Sequence, residues 1–540
     1  MYNIIPKPKN ITKGRGSKAL SASSTIFIEK SFTKIVPFLT SIFPFTQENI
    51  SFEFDENKKY DFLLLEEKSF SEEEYAIFCQ KEDLKVYAST FAGAFYALQT
   101  LMQLCEEERI EEKILIPSCE ILDKPRFHHR GLHLDVARHF FDKNELMRLI
   151  ELMSFYKLNV LHLHLTDDQG WRIEIKKFPL LTEIGSKRSA THIGSWGTTD
   201  FDETPYGGFY TQEQMKEIIR FAQRRNITII PEIDIPAHCA AAIAAYNHLA
   251  CKNIEAPVSS WFCDKAAEAK GFKDWNRPLC AGKKSTYDFI FGVLEEICDI
   301  FPSPFIHIGG DEAPTAQWEE CPDCKRFMEE NSIARVEDIQ GFMANEIEAF
   351  VSQRGKRLIV WNDALKAKSL SSSIVGQYWT PQSDKNVIKH IKNGGSIILS
   401  KFENLYFDMS YSEVPLSNTF FFYPTFMMIP KKYEKNILGV EGALWTEWVW
   451  GREKLDFQLF PRMLALSEVC WRERGLKDYE EFLKRWDHHK KFLNKLNVNY
   501  ACDEIANQKN KSIKNNFKQI WHEADTDCEF KENERLKKEK

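Results

Sequence analysis

Apolar positions follow two rhythms along the chain. Up to about residue 124 the apolar runs are short and isolated. Ile26-Phe27-Ile28, Phe62 to Leu65 and Leu84 to Tyr87 read as strands, and 90–105 carries apolar residues at helical spacing. These runs predict a small α/β domain over 1–124, a packing unit with no obvious gathering of ionisable residues. From about 125 eight short apolar runs recur, at 131–135, 159–165, 227–233, 305–309, 358–361, 375–379, 396–400 and 438–445. Each is followed by a helical or loop stretch, with clear helical periodicity at 143–156 and 211–225. Alternating strands and helices predict a parallel sheet, and eight units predict a (β/α)8 TIM barrel as the catalytic domain over 125–477. A doubly wound open sheet is the alternative, but it would not need eight strands that mostly end in polar or aromatic residues. In the last segment, 478–540, a helix with aromatic residues at 478–496 precedes a charged, solvated tail from about 507.

Composition narrows the picture. The 540 residues exceed one compact core. A net charge of -7 spread over many acids and bases offers no basic face, so no nucleic-acid partner is expected. No apolar run is long enough to span a membrane. The first residues lack the apolar stretch of a secretion signal, which gives the expectation of a cytoplasmic protein. Thirteen cysteines form no dense framework and are expected to be mostly reduced and buried. Cys321 and Cys324 make a lone CxxC without a second one; a reduced pair at a helix start is favoured over a zinc or redox role.

Candidate chemistry gathers where the predicted strands end, the face on which barrel enzymes build their sites. The first runs into Asp135, Arg138 and His139, and the second through His162 and His164 into Asp167 and Asp168. The third ends at Glu232, Asp234 and His238, and the fourth at His307, Asp311 and Glu312. Trp361 and Trp379 close the fifth and sixth; Trp445 and Glu447 close the eighth. Any one of these could be a structural hydrogen-bond partner, but so many at one mouth suit a sugar, with carboxylates for hydroxyls and indole faces for ring edges. Two other readings stay open. His162, His164 and His238 could hold the ion of a metal-dependent barrel hydrolase, or the scaffold could be an inert glycan binder.

The motifs DVARHF at 135–140, HLHLTDDQGW at 162–171, PEIDIPAH at 231–238, HIGGDE at 307–312 and LWTE at 444–447 make the chain resemble the β-N-acetylhexosaminidases of glycoside hydrolase family 20 over about 2–475. The resemblance implies an exo-acting hydrolase that releases terminal non-reducing β-linked N-acetylglucosamine, and N-acetylgalactosamine as a second sugar. Its substrate is an oligosaccharide or glycoconjugate, with retention, no cofactor and no metal. In that family the substrate's own 2-acetamido carbonyl is the nucleophile, through an oxazolinium intermediate. The resemblance assigns Glu312 as general acid and base, which calls for burial and nearby negative charge. Asp311 would hold the acetamido N–H and Tyr406 its oxygen, while Trp361, Trp379 and Trp445 wall the pocket. Arg138, Asp408 and Glu447 would bind outer hydroxyls, and the pair Asp167 and His238 would support Glu312. Asp168, Asp234, His139, His164 and His307 are expected to act as structural support. Relatives are often monomers or homodimers. Ala237 departs from the family's glycine, and insertions at 191–208 and 250–284 are expected to shape the outer subsites.

Overall fold

A computed structural model of the chain describes residues 2–43, 47–105, 113–253, 255–272, 275, 277–423, 431–473 and 478–507. The charged tail read beyond residue 507 lies outside the described residues.

The first unit is one mixed sheet. Its strands are β1 (Asn10–Leu20), β2 (Ile26–Ile28), β3 (Ile50–Ser51), β4 (Phe62–Glu66), β5 (Tyr75–Cys79), β6 (Leu84–Ala88) and β7 (Ile114–Asp123). They run in the order β1-β7-β5-β6-β4-β2-β3. Helix α1 (Phe91–Leu104) packs on the sheet, its first turn capped by the Thr90 side chain, which accepts from the N–H groups of Ala92 and Gly93. Strands β2, β4 and β6 are those that apolar runs mark. The first half of β1 is mostly exposed, with only Ile11 half-buried, and carries no such rhythm; its pairing with β7 is what makes it a strand.

The second unit is a closed barrel of eight parallel strands: β8 (His129–Asp135), β9 (Val160–His164), β10 (Thr228–Glu232), β11 (Phe305–His307), β12 (Arg357–Trp361), β13 (Val375–Tyr378), β14 (Ile397–Leu399) and β15 (Ile437–Leu444), the last pairing with the first. Each falls within or beside one of the eight predicted runs. Two intervening helices, Lys143–Phe155 and Gln212–Gln223, end within two residues of the periodic stretches. The second starts with a capping box between Thr211 and Gln214. Helix α2 (Pro322–Glu330) follows β11, and α3 (Tyr479–Lys495) closes the described chain with one short turn after it. No helix among the described residues is long and apolar enough to cross a membrane.

The barrel interior is partly apolar, with Val160, Ile230, Ile359, Val375 and Ile398 in one cluster. It also encloses two carboxylates. Glu441 meets His129 Nε2 and His162 Nδ1, each at 2.8 Å, and Gln377 Nε2 at 2.7 Å. Glu232 meets His164 Nδ1 at 2.7 Å and accepts from Trp361 Nε1 at 2.8 Å. Burial alone would push both carboxyls up, but the imidazoles around them hold both well below the usual range. The same pairing lifts His162 to about 9 against its burial. Gly131 is what lets Glu441 lie against β8: a methyl group there would fall 2.3 Å from the Glu441 carboxylate.

The two units are bolted together by buried polar contacts. Arg130, at the start of the barrel, meets Glu73 at 2.7 Å and Tyr96 at 2.6 Å. Lys157 donates to Tyr75 at 2.8 Å and Thr100 at 2.7 Å. From α3, Arg485 pairs with Glu468 of the barrel and donates to the Ile4 carbonyl at 2.8 Å.

Candidate active site

The turn after β11 sets the site. Gly309, Gly310 and Glu312 all lie in the left-handed region, at φ 62°, 83° and 47°. Gly309 has to be glycine, since a methyl group there would sit 1.8 Å from Asp234 Oδ1. That carboxylate accepts from the Gly310 N–H at 3.2 Å and so holds the turn. Glu312 has no such freedom, and its left-handed backbone costs on the order of 1 kcal/mol.

This turn separates the two neighbouring acids. The Asp311 side chain is 14% exposed and that of Glu312 54%. The burial expected of Glu312 is therefore not met in the free protein; the buried acid is Asp311. The reason is the turn, which sends Glu312 outward to the barrel mouth. Burial pushes the Asp311 carboxyl up to about 7; Glu312, Glu232 and Asp363 add to the push and His238 opposes it.

His238 stands between two acid pairs. Its Nε2 lies 3.8 Å from both Asp311 Oδ2 and Glu312 Oε2, and its Nδ1 faces Asp167 at 3.3 Å and Asp168 at 3.4 Å. Burial disfavours its charge, but Asp167 outweighs it and holds the imidazole well above its ordinary value. The preceding Ala237 is fully buried, so the extra methyl of this departure is accommodated by packing.

Arg138 anchors the other side. Its guanidinium reaches Asp167 at 2.9 Å, Asp135 at 3.4 Å and Glu447 at 3.9 Å, and lies 5.1 Å from the Trp445 ring centre. Burial pushes Glu447 up to about 7 with Arg138 opposing, and pushes Asp408 well above the usual range with Glu447 adding to it.

An aromatic box faces these acids. Trp361, Trp379, Tyr406 and Trp445 share one buried cluster with Phe402, Met409, Val414 and Ala443. Trp379 and Tyr406 stack with centroids 6.0 Å apart and planes at 20°. Trp361 and Trp445 lie 5.9 Å apart at 43°. Tyr406 is fixed by pairing beside Ala443 of β15, and its ring lies 6.4 Å from that of Trp445. Thus Arg138, Asp167, His238, Asp311, Glu312, Trp361, Trp379, Tyr406, Asp408, Trp445 and Glu447 all stand at the C-terminal mouth of the barrel. Oδ1 of Asp311 and Oδ1 of Asp408 are buried with no hydrogen-bond partner among the described residues, as acceptors kept for a ligand would be.

The remaining candidates serve the frame. Asp168 caps the helix Ala240–Ala245 by accepting from Ala240 at 2.8 Å, and Asp234 holds the turn before Asp311. His139 meets Thr446, and His164 joins Glu232 to Asp167. His307 packs in the interior 3.0 Å from Glu232. His162, His164 and His238 do not converge: no ligand-competent group among the described residues contains all three.

Two residues escaped the sequence reading. Asp363 accepts from Trp379 Nε1 at 2.7 Å and so fixes one wall of the box. Its position two residues beyond Trp361, at the end of β12, was the available signal. Trp448, just past Glu447, gathers His192 at 5.1 Å, Phe262 at 5.4 Å and Trp196 at 5.9 Å from the two insertions. Neither insertion has a periodicity that would reveal this meeting.

Comparison with known proteins agrees with this geometry. Residues 127–474 match the model of the glycosyl hydrolase family 20 catalytic domain, and residues 1–124 that of the family's domain 2. A beta-hexosaminidase of Porphyromonas gingivalis is 32% identical over 520 residues, 92% of this chain and 64% of the relative. The chain thus spans just under two thirds of that relative's length. A beta-hexosaminidase of Akkermansia muciniphila is 30% identical over 74% of this chain and 80% of its own length. Among solved structures, an exo beta-N-acetylglucosaminidase of Vibrio harveyi in complex with N-acetylglucosamine superposes with a TM-score of 0.79 at 30% identity, covering 92% of this chain and 78% of that one. The beta-N-acetylhexosaminidase of Bacteroides fragilis gives 0.79 at 28% identity, covering 92% and 96%.

Proposed function

The chain belongs to glycosyl hydrolase family 20, and from that premise we propose that it is an exo-acting β-N-acetylhexosaminidase. It removes terminal non-reducing β-linked N-acetylglucosamine or N-acetylgalactosamine from oligosaccharides or glycoconjugates, with retention of configuration. The observation that carries this reading is the pairing of a buried, unpartnered carboxylate oxygen on Asp311 with an outward-facing Glu312, beside the box of three tryptophans and Tyr406.

The chemistry follows from that arrangement. The acetamido group enters the aromatic box. Its N–H donates to Asp311, and its carbonyl oxygen, oriented by the Tyr406 hydroxyl, attacks the anomeric carbon. As the glycosidic bond breaks, Glu312 gives its proton to the leaving oxygen. Asp311 stabilises the positive charge that grows on the oxazolinium ring. Glu312 then takes a proton from water, which attacks the anomeric carbon and reopens the ring to the acetamide. Two inversions give net retention. Arg138, Asp408 and Glu447 hold the sugar's outer hydroxyls, and their convergence around the sugar suits exo action. His238, backed by Asp167, positions the two acids. A bound sugar also supplies the enclosure that Glu312 lacks in the free protein.

Turnover of nitrophenyl N-acetyl-β-glucosaminide, with Glu312→Gln as control, tests the reading. The expected result is release of one N-acetylhexosamine by the parent protein and loss of turnover of alkyl glycosides in the variant. Full activity of the variant on an alkyl glycoside would refute it.

A further inference from the structure

Four cysteines from three separate stretches of the chain meet outside the catalytic mouth. Cys321 and Cys324 open α2, and Cys251 and Cys280 bracket the insertion after β10. Their sulfur atoms all lie within 4.8 Å of one another. Cys280 Sγ stands 3.7 Å from Cys321 Sγ and 3.6 Å from Cys324 Sγ, and Cys251 Sγ 3.8 Å from Cys324 Sγ. Tetrahedral zinc with Zn–S bonds of about 2.3 Å sets its sulfurs about 3.8 Å apart. A disulfide needs about 2.05 Å. Cys280, Cys321 and Cys324 are buried and Cys251 is half-buried, so the sulfurs share a closed pocket.

The surroundings suit a charged thiolate cluster. Gly282 packs against the start of α2, and only glycine fits there, since a methyl group would fall 2.2 Å from the Asp323 carbonyl between the two α2 cysteines. The N-terminus of α2, with Cys321 as its cap residue, adds its dipole. The chain also converges here by other means: Ala250 pairs with Leu279, Trp318 Nε1 donates to the Leu279 carbonyl at 2.9 Å, and Lys283 Nζ to the Ala250 carbonyl at 2.6 Å.

We propose that Cys251, Cys280, Cys321 and Cys324 bind one zinc ion as four thiolates, forming a structural site that staples the segment after Glu312 to the insertion after β10. On binding, four thiols release four protons to the buffer and the zinc–tetrathiolate unit carries a charge of -2, with no change of oxidation state. The staple acts on function at a distance. The segment it holds runs back from Cys321 to Glu312, and the insertion it closes hydrogen-bonds through Ser259 N–H to the Asp168 carbonyl at 3.1 Å.

The test uses the full chain, purified under reducing conditions and supplied with stoichiometric zinc or cobalt(II). About one zinc per chain should remain after desalting. The cobalt form should show sulfur-to-metal charge transfer and the d–d bands of a tetrahedral thiolate site. Metal should shield the four cysteines from alkylation, with a chelator exposing all four together and lowering Tm. Cys280→Ser and Cys324→Ser should each weaken binding more than about ten-fold. A chain that retains no metal, a cobalt spectrum without thiolate bands, or a disulfide among these four in the reduced preparation would overturn the proposal. So would metal content unchanged in Cys280→Ser. Should the serine variants not fold, the cobalt spectrum and alkylation pattern of the parent chain still decide.

Discussion

Asp311 and Glu312 are joined by one peptide bond, yet one carboxyl is buried and the other faces solvent, 14% against 54% exposed. His238 Nε2 is 3.8 Å from each. Two neighbouring acids in one environment would do one job; the left-handed turn at Glu312 gives them two. The division predicts different failures.

For Glu312→Gln, the loss should track the leaving group. kcat/KM for alkyl glycosides should fall by about 10²–10⁴-fold, the usual contribution of a positioned proton donor. Substrates with strongly acidic phenol leaving groups should lose far less. Steady-state kinetics across a leaving-group series measures this, and a uniform loss would remove Glu312 from the acid role.

For Asp311→Asn, activity and stability should move in opposite directions. The folded carboxyl is raised from 3.8 to about 7, so the folded state holds its proton more tightly than the unfolded one, and stability is lost as pH rises through that window. Asparagine avoids that loss. The variant should be more stable than the parent at pH 8, by on the order of 1–3 kcal/mol, with the gain vanishing near pH 4. Denaturant melts at the two pH values check this. The same variant should bind thiazoline mimics of the cyclic intermediate far more weakly.

For the parent enzyme, the same carboxyl predicts the acid limb of the pH profile. In the proposed mechanism Asp311 accepts the acetamido N–H as a carboxylate, so kcat/KM should decline as pH falls through about 7. An acid limb unmoved in a variant that retains measurable turnover without this carboxyl would assign the limb to another group.

Tyr406→Phe separates orientation from packing. The ring keeps its stack on Trp379 and loses only its hydroxyl. kcat should fall by about 10²-fold, with small changes in KM and Tm.

Arg138→Lys tests the anchor. Lysine keeps the charge but cannot span Asp135, Asp167 and Glu447 together. KM should rise and stability should drop by about 3 kcal/mol as buried carboxylates lose their partner.

Much of this site was legible in the sequence because barrel strands are short, apolar and buried, and their polar ends therefore stand out. Asp311, His238, Arg138 and Trp445 each follow such a run directly. What was not legible depends on side chains meeting across the fold. The exposure of Glu312 comes from one backbone angle. Asp363 matters through the indole it holds, and Trp448 through two insertions that lack periodicity. The buried Glu441 sits within a strand whose other residues read as a plain hydrophobic run. Cys321 and Cys324 form a visible pair, but their partners Cys251 and Cys280 are separated by a loop that only folding closes.

In the proposed mechanism the substrate's acetamido carbonyl makes the attack while Asp311 and Glu312 manage its N–H and the leaving group. This mechanism is tested most directly by kcat/KM for aryl N-acyl-β-glucosaminides in which the acetyl methyl carries successively more fluorine. Attack by the acetamido oxygen predicts a steep fall with each fluorine, because fluorine drains that oxygen. Rates independent of fluorine would contradict it.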